Sequence, residues 1–494
     1  MLPDDLENLS QSTIATLLFS NNILLLNTTG DYWKIINEFK PLMHTWSLGI
    51  EEQFYILYPF IFYFLRSKKR LILPVLLILT VISINLYVKT NDTYSQFYLL
   101  PFRFFELSIG GVAAILLLYK QILFRYKFII LTFTVMILLV GLPNQYSKFQ
   151  IPLICILTVI LLITKNSNKR FDVILENKLM VSIGKISFSI YMWHQFLLAF
   201  IRYFVVQELT NSIVLIIFLI TILLSIITYL LIETPFRNKK IISNRILFAS
   251  LLPTSILLVG VSCFIYLRAG VIRDVPELDI SVSKYERNMH ATYVKNVEKN
   301  NPSFFDETKI KILVYGNSFA KDWTNVLRES IYNDKLSVIY VYNILDHISL
   351  AKKSDIIFLA RLSKKNKSSL SLDKIADLDL SIQKKIWCVG TKNFGVNNGM
   401  FYNSKKDGYC NQRTKMENGY FEENNKLKKE WGSKYIDIIG LLTKGSQTNT
   451  VPVFTPNCKF ISQDTRHLTK PGAQFLGDLL DSQLQTILRT SQTN

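Results

Sequence analysis

From residue 44 to residue 267 long apolar runs alternate with short polar breaks, and past Arg268 the pattern changes to short apolar runs in a polar background. The runs at about 44–66, 70–88, 97–118, 128–142, 149–164, 181–204, 212–232 and 246–267 read as eight membrane-crossing helices. Several are shorter than the ~20 residues an untilted helix needs, so neighbouring helices must shield their ends. The stretch 12–28 reads as a re-entrant or interfacial piece, because the acidic start Asp4-Asp5…Glu7 offers nothing basic to anchor an end inside the cell. From Lys309 the period shortens. Ile312-Leu-Val-Tyr315 reads as a strand running into a turn at Gly316-Asn317-Ser318, with further strand-like runs at 337–342, 355–361 and 385–390. Helical stretches fall around 321–331 and 471–488. Strands that alternate with helices predict an α/β fold on a parallel sheet. The chain therefore divides into a multi-span α-helical membrane domain over 1–267, a linker over 268–305 and an α/β domain over 306–494.

Charge refines this picture through its placement. The 494 residues carry a formal net charge of +19, which alone would admit a nucleic-acid partner. The loops 66–70, 119–127, 165–180 and 233–246 hold 15 Lys/Arg, whereas the alternate loops 29–43, 89–96, 143–149 and 203–211 hold four. A nucleic-acid surface would not skip every second loop, so that class is excluded and the topology rule for multi-span proteins accounts for the charge. With Arg66-Ser-Lys-Lys-Arg70 in the cytoplasm, eight crossings leave the α/β domain outside. The start Met1-Leu-Pro-Asp-Asp has no basic n-region and no cleavage site, so insertion is expected to rely on the spans.

Of five cysteines, Cys155 and Cys263 lie in apolar stretches and Cys388 in a strand-like run. Cys410 and Cys458 lie in polar loops of the outer domain, where an oxidising compartment permits a disulfide between them; the alternative is two free thiols. No metal site and no bound cofactor is expected.

The apolar runs also carry ionisable residues, which are expensive at mid-bilayer and should face a partner or a wet cavity. They are Glu51 and Glu52, Arg103 and Glu106, Lys185, His194 and Arg202, and Glu233 at a run's end. Glu51 and Glu52 are about 100° apart on a helix, so only one points comfortably into a given pocket. Arg103 and Glu106, three residues apart, can simply pair with one another. Glu233 and Arg202 sit where snorkelling to the interface is expected. His194, in Tyr191-Met-Trp-His194, admits a structural and a catalytic role equally. Together these charges predict a polar cavity among the helices, which suits a transporter or an enzyme.

The α/β domain narrows the chemistry. A serine in the turn after a first strand, at a helix start, has backbone amides suited to an oxyanion. It also lies beyond the strand carboxyl ends, where such sheets bind ligands. Near the chain's end Asp464-Thr-Arg-His467 precedes a helix, and its spacing lets the carboxylate orient an imidazole that deprotonates Ser318. Asn393, after a strand, is a candidate oxyanion donor, with Asn397 and Asn398 as rivals. The alternative is an ordinary surface turn and an unrelated loop histidine.

Several segments resemble a known family. His44-Thr-Trp-Ser-Leu-Gly-Ile-Glu51-Glu52-Gln-Phe-Tyr55…Tyr58-Pro59 looks like the signature segment of the acyltransferase family 3 membrane proteins. Phe102-Arg103-Phe-Phe-Glu106-Leu…Gly110, Ile183-Gly-Lys185-Ile-Ser-Phe-Ser-Ile-Tyr191-Met-Trp-His194 and Ile232-Glu233-Thr-Pro-Phe-Arg237 match its later segments in order. The C-terminal domain resembles the SGNH hydrolase-like domain fused to many of these proteins, as in bacterial O-antigen, lipooligosaccharide and peptidoglycan O-acetyltransferases. The resemblance implies a bacterial plasma-membrane O-acyltransferase that takes an acetyl or similar group from acyl-CoA. It passes the group outward past Glu51, Glu52, Arg103, Glu106, Lys185, Tyr191, His194 and Glu233 and delivers it to an envelope polysaccharide. Ser318 is then the nucleophile, Asp464 and His467 its partners, and Gly316 and Asn393 oxyanion residues. Asn317 stands where the pattern usually has Asp. Family members begin with about three further spans bearing a histidine and an Arg-x-x-Arg motif, so the chain is expected to be N-terminally truncated, with a partner polypeptide as a source of the further spans. The other readings are a membrane-anchored glycan esterase, a transporter-like protein and an inactive remnant.

Overall fold

Apolar runs become helices in the computed structural model of the chain. It describes residues 1–29, 37–119, 148–166, 177–205, 209–287, 289–363, 370–403, 405, 407–443 and 449–492, with short pieces at 122–124, 132 and 135–136. The chain forms two compact units, one of residues 8–201 and 209–264, the other of residues 1–7, 202–208 and 265–494.

In the first unit seven of the eight predicted runs are helices: Trp46–Phe64, Ile72–Lys89, Leu100–Tyr119, Gln150–Ile163, Lys178–Phe204, Asn211–Thr228 and Asn244–Leu267. The eighth, 128–142, lies outside the described residues except for Thr132, Val135 and Met136. Among the described residues, four helical stretches are long and apolar enough to cross a membrane: Lys69–Lys89, Thr93–Leu117, Asn211–Arg237 and Asn244–Leu267. Their outward faces are rich in exposed Leu, Ile, Val and Phe, as a lipid-facing surface requires. The stretch 12–28 is two helices, Pro3–Leu17 and Asn21–Thr29, broken at Leu18–Ser20.

The second unit is built on a five-stranded parallel sheet: β1 (Ile310–Gly316), β2 (Leu336–Val341), β3 (Ile356–Ala360), β4 (Ile386–Val389) and β5 (Tyr435–Ile436). The spatial order is β2-β1-β3-β4-β5, with Ile310 beside Leu336 and Gly316 beside Ala360. Strand residues alternate between two cores. Ile312, Val314 and Phe358 face one, with Trp323 of the following helix; Leu313, Tyr315, Ile357 and Leu359 face the other. Burial on both faces explains why these strands are unbroken apolar runs in the sequence. Each of Ile312, Leu313 and Val314, fully buried, contributes about 1.5–3 kcal/mol relative to exposure. The sheet order changes direction at β1 and β3, and ligands on such sheets bind beyond the strand ends at that switch. A small antiparallel pair, Arg413–Lys415 with Thr450–Pro452, lies apart from this sheet. Cys410 and Cys458 form a disulfide with Cα atoms 5.0 Å apart, whereas Cys155, Cys263 and Cys388 are free thiols.

Candidate active site

The turn after β1 is set by two neighbouring residues. Gly316 has φ +146°, and a Cβ there would lie 1.9 Å from the Ala360 carbonyl oxygen, so only glycine lets β1 run this close to β3. Its own carbonyl accepts from the Tyr340 hydroxyl at 3.2 Å. Asn317 then caps the helix Ser318–Glu329, its side chain accepting from the Phe319 amide at 3.1 Å. Ser318 is thereby the first helical residue, with its own amide in the turn whose N–H groups have no intrahelical acceptor. Gly316→Ala is expected to lower thermal stability by at least about 2 kcal/mol. A melting curve of the purified full chain reads this out; an unchanged midpoint would show that β3 can yield.

The second half of the site is the loop 462–469, ahead of the helix Lys470–Leu479 that Thr469 caps. Thr465 has φ +70°, a left-handed conformation that costs a β-branched residue about 1–3 kcal/mol. Asp464 holds the turn closed: its Oδ1 accepts from the Arg466 amide at 2.9 Å, the His467 amide at 2.7 Å and the Ser462 hydroxyl at 3.3 Å. Its Oδ2 lies 2.5 Å from His467 Nδ1, and His467 Nε2 lies 3.0 Å from Ser318 Oγ. With Nδ1–H donating to the carboxylate, Nε2 is left as an acceptor toward the serine hydroxyl. His467 is buried, and its ring meets Phe319 edge-on with centroids 6.2 Å apart. Residues separated by 149 positions thus form a continuous Asp–His–Ser hydrogen-bonded line at the switch point of the sheet. Such a line can deprotonate a hydroxyl and return the proton to a leaving group.

The side-chain amide of Asn393 is held in place by its neighbours. Its Nδ2 donates to Glu417 at 3.3 Å, and its Oδ1 accepts from the Gly395 and Glu417 amides, both at 3.0 Å. Asn393 is tied to the loop 462–469 through its neighbour, since the Phe394 amide donates to the Thr465 carbonyl at 2.8 Å. Asn397 closes a local turn onto the Gly399 amide, and Asn398 donates to the Ser462 carbonyl at 2.6 Å.

Sequence reasoning did not single out Asp322 and Lys392, which lie behind this line. They form a buried ion pair at 2.7 Å, their side chains 1% and 4% exposed. Burial pushes the Asp322 carboxyl up and the Lys392 ammonium down, and each is opposed by the other's charge.

In the first unit the ionisable residues fall into distinct groups. Arg103 pairs with Glu106 at 3.0 Å, donates to the Phe97 carbonyl at 2.6 Å and stacks on Trp46 and Phe97. Here the local i, i+3 pairing is what forms. Ser47 Oγ lies 2.6 Å from Tyr191 Oη, and the same hydroxyl donates to the His44 carbonyl. His194 Nδ1 donates to the Tyr191 carbonyl at 2.6 Å, and its ring meets that of His44 with centroids 5.5 Å apart. Residues 44–47 therefore bring the two groups together, and His44, quoted only for its motif, belongs with His194. Glu51 and Glu52 are half-buried and Lys185 is exposed, with no ion pair to any of them among the described residues. Glu233 departs from the snorkelling expectation: its side chain is 10% exposed, accepts from Ser189 and lies 3.4 Å from Arg237. It ends a π-helical turn, Tyr229–Glu233, which re-aims the carboxylate at its neighbour.

Apolar helices of membrane-crossing length and an α/β unit that holds a hydrogen-bonded Ser–His–Asp line define a membrane protein of two parts. Residues 7–230 match the family model of the acyltransferase domain. The chain is 31% identical over 261 residues to the O-acetyltransferase OatA of Staphylococcus aureus strain NCTC 8325 / PS 47, a match covering 48% of this chain and 43% of the relative. OatA of Staphylococcus aureus strain COL gives the same identity and coverage. The chain thus spans less than half the length of these curated relatives. No solved structure matches it.

Proposed function

We propose that this chain is a membrane O-acyltransferase that moves an acetyl or similar short acyl group from cytoplasmic acyl-CoA to hydroxyls of an envelope glycan. The observation that carries this reading is the 3.0 Å contact between Ser318 Oγ and His467 Nε2 in a chain whose residues 7–230 match an acyltransferase domain. Ser318 attacks the acyl carbonyl while His467 takes its proton, and the tetrahedral oxyanion is stabilised by amides at the helix start. Collapse leaves an acyl-serine, and the protonated His467 gives its proton to the leaving group. A sugar hydroxyl, deprotonated in turn by His467, attacks the ester, and as the acyl–Oγ bond breaks the imidazolium returns that proton to Ser318 Oγ. Gly316 shapes the turn that exposes Ser318, and Asn393 is a further oxyanion donor through its second amide hydrogen. The domain is an SGNH-like one on the extracytoplasmic face of a bacterial plasma membrane, a placement supported by the alternation of basic loops. Arg103, Glu106, His194, Tyr191, Glu51, Glu52, Lys185 and Glu233 serve the passage of the acyl group through the membrane unit.

A second reading uses the same hydrogen-bonded line with water as the acceptor, a membrane-anchored glycan esterase. Base-labile acetate on envelope glycan, measured in cells with and without the gene, separates the two. Transfer predicts a loss of glycan acetate on deletion and its return on complementation. A rise in glycan acetate on deletion would overturn transfer in favour of hydrolysis, and no change would overturn both.

A further inference from the structure

The ion pair behind the site is costly by itself. Two charges removed from water recover their desolvation only through good geometry, and replacing such pairs with apolar residues is often neutral or stabilising. Stability is therefore a poor account of why Asp322 and Lys392 stand in the core, and their contacts indicate another. Asp322 lies four residues after Ser318 on the nucleophile helix, and its Oδ1 accepts from the amide of Leu468, the residue after His467, at 3.3 Å. Lys392 Nζ bonds Asp322 Oδ2 at 2.7 Å and sits 3.4 Å from the centroid of the Phe319 ring, the ring that meets His467 edge-on. Lys392 leaves β4 in the same loop whose Phe394 amide holds the Thr465 carbonyl. Three segments that are distant in sequence meet at this pair: the nucleophile helix, the loop after β4 and the loop carrying the base.

We propose that Asp322 and Lys392 are a positioning pair for His467, fixing the base-bearing loop through the Leu468 amide and presenting balanced charge behind the imidazole. The inference rests on the reading of His467 as the general base. Two carboxylates act on the imidazole, Asp464 from its own loop and Asp322 from the nucleophile helix, and Lys392 from the loop after β4 acts on both carboxylates. Arg361, at the end of β3, lines the same small cavity as Asp322 and Lys392. Removing one member of the pair leaves the other's charge uncompensated beside the Asp464–His467 couple, and the two removals act in opposite directions. In Asp322→Asn the side-chain oxygen still accepts from Leu468, but Lys392 is unbalanced and disfavours the imidazolium. In Lys392→Met the unbalanced carboxylate favours it.

The test is the rate at which a fluorophosphonate labels the full-length protein in detergent, followed against pH. Labelling needs neutral His467, so the acid limb of the profile reports its protonation. The limb is expected to move to lower pH in Asp322→Asn and to higher pH in Lys392→Met, each by on the order of half a unit. The plateau rate is expected to fall about tenfold in each, because both variants lose the Lys392–Asp322 bond that ties the loop after β4 to the nucleophile helix and so misplace the groups around the base. The double variant should bring the limb back toward its original position while the plateau stays low. Limbs that do not move, or that move the same way, would overturn the proposal whatever the plateau does. Should Lys392→Met not fold, the isosteric Asp322→Asn decides alone, and a limb unmoved or raised sinks the idea. A protein that labels equally well as Ser318→Ala identifies the failure as one of the triad reading instead.

Discussion

Ser318→Ala is expected to abolish labelling by a serine-directed phosphonate and to reduce acyl transfer to glycan by on the order of 10³-fold or more. The protein should remain folded and in the membrane fraction. That separation follows from the local structure. The helix is capped by Asn317, not by Ser318, so removing Oγ leaves the hydrogen bond to the Phe319 amide intact. The missing hydroxyl breaks only the contact with His467 Nε2, and His467 keeps its bond to Asp464. Stability should therefore change by less than about 1 kcal/mol, within the range of substitutions that touch no cap, core or buried polar group. Residual transfer near the original level in a stably folded Ser318→Ala protein would remove the serine from the reaction. The acyl group would then pass directly from the membrane unit to the acceptor. Loss of the protein from the membrane would leave the chemistry unread, so the fractionation and the melting curve belong in the same experiment.

Much of this site is legible in the sequence because it depends on local patterns. The strand before Ser318 is buried on both faces and so appears as an unbroken apolar run, and β2, β3 and β4 fall within a residue of where such runs place them. β5 is only two residues long and gives no such signal. The Asp464–His467 spacing is a single turn closed on itself, and Arg103–Glu106 is one helical turn, so both pairs are visible at short range. What stayed hidden is non-local. Asp322 reads as an ordinary polar residue near a helix start, and Lys392 is separated from it by 70 positions. Glu233, at the end of an apolar run, looks like a side chain bound for the interface. It turns instead to Ser189, 44 positions earlier, through a π-helical turn that periodicity does not encode. Asn393 illustrates the converse. Its residue type suits an oxyanion and is visible in the sequence, whereas the bond that one of its amide hydrogens makes to Glu417 is a contact that no spacing announces.

Asp464→Asn should lower the rate of serine labelling by roughly 10³- to 10⁴-fold, although it changes one atom and keeps the shape of the loop. Asp464 Oδ1 accepts from the amides of Arg466 and His467, and an asparagine must keep its oxygen there to hold the turn. Its nitrogen then faces His467 Nδ1, where the carboxylate had accepted a proton. An amide N–H pointing at Nδ1 makes that nitrogen the acceptor and moves the imidazole proton to Nε2. Nε2–H can donate to Ser318 Oγ but cannot take its proton, so the base is present, correctly placed and in the wrong tautomer. The side chain is 18% exposed and the turn's backbone hydrogen bonds are retained, so the melting midpoint should fall by only a few degrees. Asp464→Ala, which also removes the acceptor for both amides, should lose activity to a similar extent and stability further, by about 1–3 kcal/mol. A near-normal labelling rate in a folded Asp464→Asn protein would mean that the carboxylate does not set the tautomer of His467. Equal stability losses in the two variants would mean that the amide bonds at Oδ1 do not hold the loop.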